Sequence, residues 1–324
     1  MFERILVPLD GSERAERALP VAARLANASR GSILLLRVAT GSIDIAWSTL
    51  ESPILKKEAL EAERAQAIDY LAQIAASPEL AGISVQTNVQ SGVPAACILS
   101  AACDQQADLI ILGSHGETGL KRWLLGSVAQ HVTRHSPTPV LVLHERGGVP
   151  THLSAEDRQP VSILVALDGS PLAEAALTPA AYLSAALSTP AQGALHLALV
   201  LPFPDPAEHG QQGIGPTARE QAKMRAGAYL DMITQRLSKG ELATLQLHVT
   251  SSIALQRDIA DALIGMAETG AFLEGEEPFH GCYMMALATH GRSGVERWVM
   301  GSVTERILGA TILPLLIVRP QKNG

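Results

Sequence analysis

Gly113 and Gly116 are separated by two residues and are followed, after nine intervening residues, by Gly126, Ser127 and Val128. Glycine accepts positive φ and lets a ligand approach the backbone closely. The step at Gly126 opens a helical pattern, and the free amides and positive dipole end of a helix start favour phosphate. Ser127 adds a hydroxyl donor there. Asp10 closes an apolar run and precedes Gly11 and Ser12. It is placed to accept hydrogen bonds from a sugar or adenine, or to help hold magnesium. The same three residues also suit a plain cap and turn. Glycines at strand-to-helix turns are ordinary in doubly wound folds. Two glycine turns at fixed spacing, with Asp10 on the same rim, argue for a ligand that carries phosphate.

Other polar residues carry less chemistry. His115 and His290 occupy matching loop positions without a carboxylate or second histidine at ligand spacing, so no catalytic residue is assigned. Lys121, Arg122, Arg292 and Arg297 are read as solvated loop charges, and Trp123 and Trp298 as packing residues. The charges around residues 56–64 are read as a solvated helix face. Cys97, Cys103 and Cys282 show no metal-type spacing, and their odd number fits a reducing compartment better than a disulfide framework. Cys97 and Cys103 are expected to be small core residues.

The elements that must position these residues are read from periodicity. In the first half, strands are expected at 5–9, 33–38, 84–89, 109–112 and 140–143, with helices at 12–28, 53–76, 94–106 and 127–135. In the second half, strands are expected at 163–167, 195–200, 245–250, 283–287 and 315–318. Helices there are expected at 172–187, 218–237, 253–267 and 303–308. Strands this apolar, separated by helices, suit parallel sheets buried on both faces. With right-handed crossovers they give an α/β, three-layer, doubly wound architecture. Ligands in such sheets sit beyond the carboxyl ends of the strands.

The chain repeats itself. RILVPLDGSERAERAL (4–19) answers SILVALDGSPLAEAAL (162–177), and GSHGETGLKRWLLGSV (113–128) answers ATHGRSGVERWVMGSV (288–303). The expectation is two repeated doubly wound domains, 1–146 and 161–324, joined by a polar linker at 147–160. Each would hold a five-stranded, mainly parallel sheet with helices on both faces. An insertion is expected within 269–281. The Pro- and Gly-rich segment 201–217 and its counterpart 39–53, which contains Trp47, are read as rim lids or variable loops.

Composition narrows the function. Hydrophobic residues are 47% of the 324, enough for full cores and too many for a disordered chain. The formal net charge of -7 argues against a duplex-binding surface, and 3% aromatic residues argue against stacking platforms for single strands. Met1 to Asp10 reads directly as a strand, and no uncharged apolar run approaches membrane-spanning length. A cytoplasmic protein without nucleic-acid or membrane partners is expected. A Walker A loop and the dinucleotide fingerprint are both absent.

ILVPLDGS near the start, paired with GSHGETGLKRWLLGSV, resembles the universal stress protein family. Its G-x2-G-x9-G-(S/T) loop is matched by Gly113, Gly116, Gly126 and Ser127. The resemblance spans most of both copies, as in a tandem member. It implies an adenine nucleotide α-hydrolase-like fold and an adenine nucleotide (ATP, ADP or AMP), with magnesium held through its phosphates and not by a dedicated protein site. Pro8, Asp10 and Val38 would surround adenine and ribose. Gly113 and Gly116 would pass along ribose and phosphates, and Gly126, Ser127 and Val128 would hold the phosphate tail. In the second copy the corresponding residues are Ala166, Asp168, Val200, Ala288, Gly291, Gly301, Ser302 and Val303.

That copy departs from the pattern at Ala288, which replaces the first loop glycine, and at Ala166, which replaces Pro8. Positive φ at 288 would make alanine costly by about 1–2 kcal/mol, and negative φ would make it harmless. Ser252 is read as the counterpart of Gly92. The resemblance implies a stress-response regulator whose nucleotide state alters domain or partner contacts. A slow ATPase and a scaffold that has lost nucleotide in its second domain are the alternatives. The terminal strands are expected to pair the two domains as an internal pseudo-dimer, with a homodimer as a further step.

Overall fold

The computed structural model describes residues 1–41, 53–114, 125–144, 160–202, 216–271, 281–290 and 300–320. The chain divides into two compact units, Met1–Glu145 and Arg146–Gly324. In the first, strands β1 (Arg4–Leu9), β2 (Ser32–Ala39), β3 (Ser84–Ser91), β4 (Leu109–Gly113) and β5 (Val140–Leu143) form a sheet in the order β3-β2-β1-β4-β5. Each of its pairings is parallel. Ile5, Leu6, Val7, Leu109, Ile110 and Ile111 are wholly buried, as parallel strands covered on both faces require. Strand β3 (SVQTNVQS) is polar and largely open, which suits a sheet edge.

Helices α1 (Glu13–Glu16) and α2 (Ala18–Ser29) follow β1, and α3 (Pro53–Ala75) follows β2. Helices α4 (Pro94–Asp104) and α5 (Ser127–His135) flank β4. One continuous helix is expected at 12–28, and the structure breaks it at Arg17. Pro20 has no amide to give the carbonyl of Glu16, four residues earlier, and its ring crowds that carbonyl. Ser12 caps α1, its hydroxyl accepting from the Ala15 amide at 3.2 Å.

The second unit repeats this plan. Its strands are β6 (Ser162–Leu167), β7 (Ala194–Leu201), β8 (His248–Leu255), β9 (Met284–Ala288) and β10 (Leu315–Val318), in the order β8-β7-β6-β9-β10. Its pairings are again parallel. Its helices are α6 (Leu177–Ser188), α7 (Pro216–Lys239), α8 (Ile259–Thr269) and α9 (Ser302–Ala310). The helix expected from 172 starts as a 3-10 turn, Ala173–Ala176, and Pro179 sets the same kind of break as Pro20.

Two expectations are corrected here. Residues 253–255, read as helix, complete β8, and the helix begins only after Asp258, whose carboxylate accepts from the Asp261 amide at 3.1 Å. Cys97 is half-buried and Cys103 exposed, so of the cysteines only Cys282 belongs to the core. Helix α4 buries Ala95, Ile98, Ala101 and Ala102, and position 103 lies off that face.

Candidate functional site

In each unit the central strand is flanked by strands whose connections run in opposite directions, the switch point at which such sheets hold ligands. At that rim in the first unit, β1 leads into Asp10, β2 into Thr40 and β4 into Ser114. Pro8 is half-buried on β1 opposite Leu36, and Val38 is half-buried on β2 opposite Gln90. Gly113 ends β4 opposite Leu143. Gly126, Ser127 and Val128 begin α5. The second unit places Ala166, Asp168, Val200, Ala288, Gly301, Ser302 and Val303 at the same positions of its own strands and of α9. Gly116, Gly291, His115, Lys121, Arg122, Trp123, Arg292, Arg297, Trp298 and Trp47 lie outside the described residues. So do the greater part of the expected linker, of the expected insertion and of both rim loops.

The aspartates hold the turn that follows the first strand. Oδ1 of Asp10 accepts from the Ser12 amide at 3.0 Å and the Ser12 hydroxyl at 2.6 Å. Oδ1 of Asp168 accepts from the Ser170 amide at 2.9 Å and its hydroxyl at 2.7 Å. The intervening glycines take φ +84° and +83°, a region in which a side chain would be strained.

The helix starts are built alike. The Gly126 amide donates to the Ser114 carbonyl at 2.7 Å, and the Gly301 amide to the Thr289 carbonyl at 2.8 Å. Neither glycine brings a side-chain cap, whereas Ser12 and Asp258 cap their own helices. The first acceptor inside α5 is Gly126, which receives Gln130, so the amides of Ser127, Val128 and Ala129 precede the intrahelical ladder. The carbonyl of Gly301 receives Glu305 in the same way. Ser127 and Ser302 are exposed.

Ala288 is the last residue of a regular strand and does not take positive φ. The alanine therefore carries no backbone strain. In the second unit the Thr304 hydroxyl adds a bond to the Ala288 carbonyl at 3.0 Å. Helix α9 is further tied by Arg306, which bridges Asp258 at 2.5 Å and Asp261 at 3.0 Å. The Arg306 hydrogen bond, the largest cause, lowers the Asp258 carboxyl below its ordinary range. The register also corrects one pairing. Gly92 donates to Ala39 and Gln256 to Leu201, both at 3.1 Å, so Gln256 is the counterpart of Gly92 and Ser252 that of Asn88.

Several rim residues were not visible as site residues in the sequence. Glu63, within the stretch read as solvated helix, accepts from the Thr40 and Gly41 amides, both at 2.9 Å, and so fixes the exit of β2. Tyr70 on α3 donates to Glu16 at 2.8 Å, and Tyr229 on α7 donates to Glu174 at 3.1 Å. Burial first, and the neighbouring carboxylate second, raise both phenols above their usual range. Two tyrosines at matching places in the repeat were the available signal. His196 on β7 is buried between the Thr250 hydroxyl (Nδ1, 2.8 Å) and the Ser252 hydroxyl (Nε2, 2.7 Å). Burial lowers its pKa to about 4. Among the described residues no group of three or more His, Cys, Asp or Glu is arranged to hold a metal. Among them, too, no helix is long and apolar enough to cross a membrane.

Parallel five-stranded sheets with a glycine-started helix at the switch point define a doubly wound α/β protein. Residues 1–144 match the model of the universal stress protein family. A universal stress protein of Methanocaldococcus jannaschii is 33% identical over 143 residues, covering 44% of this chain and 82% of that protein. One from Mycolicibacterium smegmatis is 25% identical over 319 residues, 98% of this chain and 97% of that one. The crystal structure of a universal stress protein from Archaeoglobus fulgidus matches with a TM-score of 0.62 at 19% identity, covering 98% of this chain and 99% of the other, a likeness of fold. The chain belongs to the universal stress protein family.

Proposed function

We propose that the chain is a regulatory protein that binds an adenine nucleotide at the carboxyl edge of each unit's sheet. The observation that supports this most is the pair of helix starts at Gly126 and Gly301, both without a side-chain cap and both ahead of a full turn of unladdered amides. That arrangement suits a phosphate tail. Asp10 and Asp168 hold their turns through Oδ1 and would meet ribose or adenine from the rim. Val38 and Val200, with Pro8 and Ala166, would line the base.

Magnesium fits this reading as an ion brought in on the phosphates. Its chemistry there is charge neutralisation, and no protein residue is assigned to it. Binding at both units is proposed because position 288 keeps ordinary strand geometry. Regulation would follow from the nucleotide state altering domain or partner contacts. A homodimer belongs to the same reading, and the mass in solution by light scattering tests it.

The test is calorimetric titration of the full chain with ATP and magnesium, beside the Ser127→Asp and Ser302→Asp variants. A carboxylate at the first helical position stabilises the helix yet repels phosphate. Two sites in the parent and loss of one in each variant are expected. Unchanged stoichiometry and affinity in both variants would overturn the assignment.

A further inference from the structure

Among the described residues, one difference between the two rims is a cation on the second strand. Leu9 of β1 pairs with Arg37 of β2, and the equivalent Leu167 of β6 pairs with Leu199 of β7. In the first unit the Arg37 guanidinium lies 5.7 Å from the Tyr70 ring centre. Its Nη1 would be 3.0 Å from a side-chain carbon at Gly11, directly under the turn that Asp10 holds. That nitrogen is shut off from solvent and has no hydrogen-bond partner among the described residues. Arg37, Asp10 and Glu16 are the charges that act on Tyr70.

In the second unit Leu199 is 2% exposed and contributes no charge. The cation there is Arg236 of α7, which sits at the surface and is spent on Glu174 at 2.5 Å. Tyr229 and Glu174 repeat the Tyr70 and Glu16 pair, and the strand cation is a part that does not repeat.

We infer that Arg37 is a specificity-determining residue that makes the first nucleotide site select for the charge of its ligand. This rests on the nucleotide reading above. Strand β1 alone separates β2 from β4, which places Arg37 about 10 Å from the strand leading to the phosphate-facing helix start. At that range a cation with one nitrogen shut off from solvent changes anion affinity by about 3- to 10-fold for a highly charged ligand. Neutral adenosine feels none of this. The first site therefore favours ATP over adenosine more strongly than the second does.

The experiment titrates adenosine, AMP and ATP by calorimetry into the full chain carrying Ser302→Asp, so that the first site is read. It then repeats the titrations with Arg37→Leu, Arg37→Gln and Arg37→Lys added, each checked for folding by circular dichroism. The expected result is an ATP affinity about 3- to 10-fold lower with Leu or Gln, a smaller loss for AMP, none for adenosine, and recovery with Lys. Equal losses for all three ligands would reduce Arg37 to a packing role and overturn the inference. Unchanged affinities would overturn it as well. Failure of the parent chain to bind any of the three overturns the nucleotide reading itself, and the inference with it.

Discussion

The amide of Gly126 donates to the carbonyl of Ser114 across 2.7 Å, so the residue that starts α5 is fastened to the residue that leaves β4. Gly301 and Thr289 repeat the bond at 2.8 Å. The fastening uses up the glycine amide and leaves the next amides of the helix facing the rim. A side-chain carbon at Gly301 would come within 3.3 Å of the Thr289 carbonyl, closer than most such contacts. Gly301→Ala is thus expected to loosen this bond and lower nucleotide affinity at the second site severalfold with little loss of fold. Calorimetry beside thermal unfolding checks it, and unaltered affinity would count against it.

Ala288 gives a prediction of opposite sense. It ends a regular strand and is 8% exposed. Ala288→Gly is expected to leave ligand affinity at the second site unchanged while costing about 0.5–1 kcal/mol of stability through backbone entropy. A large gain in affinity would show that the methyl group presses on the ligand.

His196 makes stability depend on pH. Its folded pKa is lowered to about 4 by burial, against an ordinary value of 6.5. Between those values the unfolded chain binds more protons, so the stabilising contribution is present above the unfolded pKa and is lost as pH falls toward the folded one. The loss from this one residue is about 2 kcal/mol between about pH 7 and about pH 5. His196→Leu, which installs the residue type of the equivalent Leu34, is expected to remove that slope in urea unfolding. Parallel slopes in the two proteins would contradict the account.

The tyrosine pairs are expected to matter for stability. Tyr70→Phe removes a donor to the half-buried Glu16, and Tyr229→Phe one to Glu174. Each is expected to cost about 1–2 kcal/mol in denaturant unfolding. Tyr229→Phe should cost less, because Arg236 still answers Glu174. The reverse order would argue against the two pairs being counterparts.

Thiol reactivity separates the cysteines. Cys103 is exposed, Cys97 half-buried and Cys282 buried, with its thiol pushed up to about 12 by burial. Since the thiolate is the nucleophile, a native-state thiol reagent should modify Cys103 first and leave Cys282 untouched until the chain unfolds. Mass mapping of the modified peptides reads this directly.

Most of the fold was legible because strand and helix differ in period and the chain states the plan twice. The expected spans of β5, β10 and α5 agree with the structure, each being bounded by Pro or Gly. The breaks at Arg17 and before Leu177 follow from Pro20 and Pro179, a local signal that an apolar count overlooks. At 253–255 an apolar run suited either period, and Asp258 decided where the helix starts. Of the site, Asp10 and Gly126 carried local motifs. Arg37, Glu63, Tyr70 and His196 did not, because each owes its place to a neighbour brought near by strand pairing or helix docking.

The central claim is that the open amides at Ser127–Ala129 and their counterparts after Gly301 hold the phosphates of an adenine nucleotide. The most direct measurement is the stoichiometry of ATP with magnesium on the full chain carrying both Ser127→Asp and Ser302→Asp, compared with the parent. The account predicts two equivalents bound by the parent and none by the folded double variant. Two equivalents bound by both, at equal affinity, would contradict it.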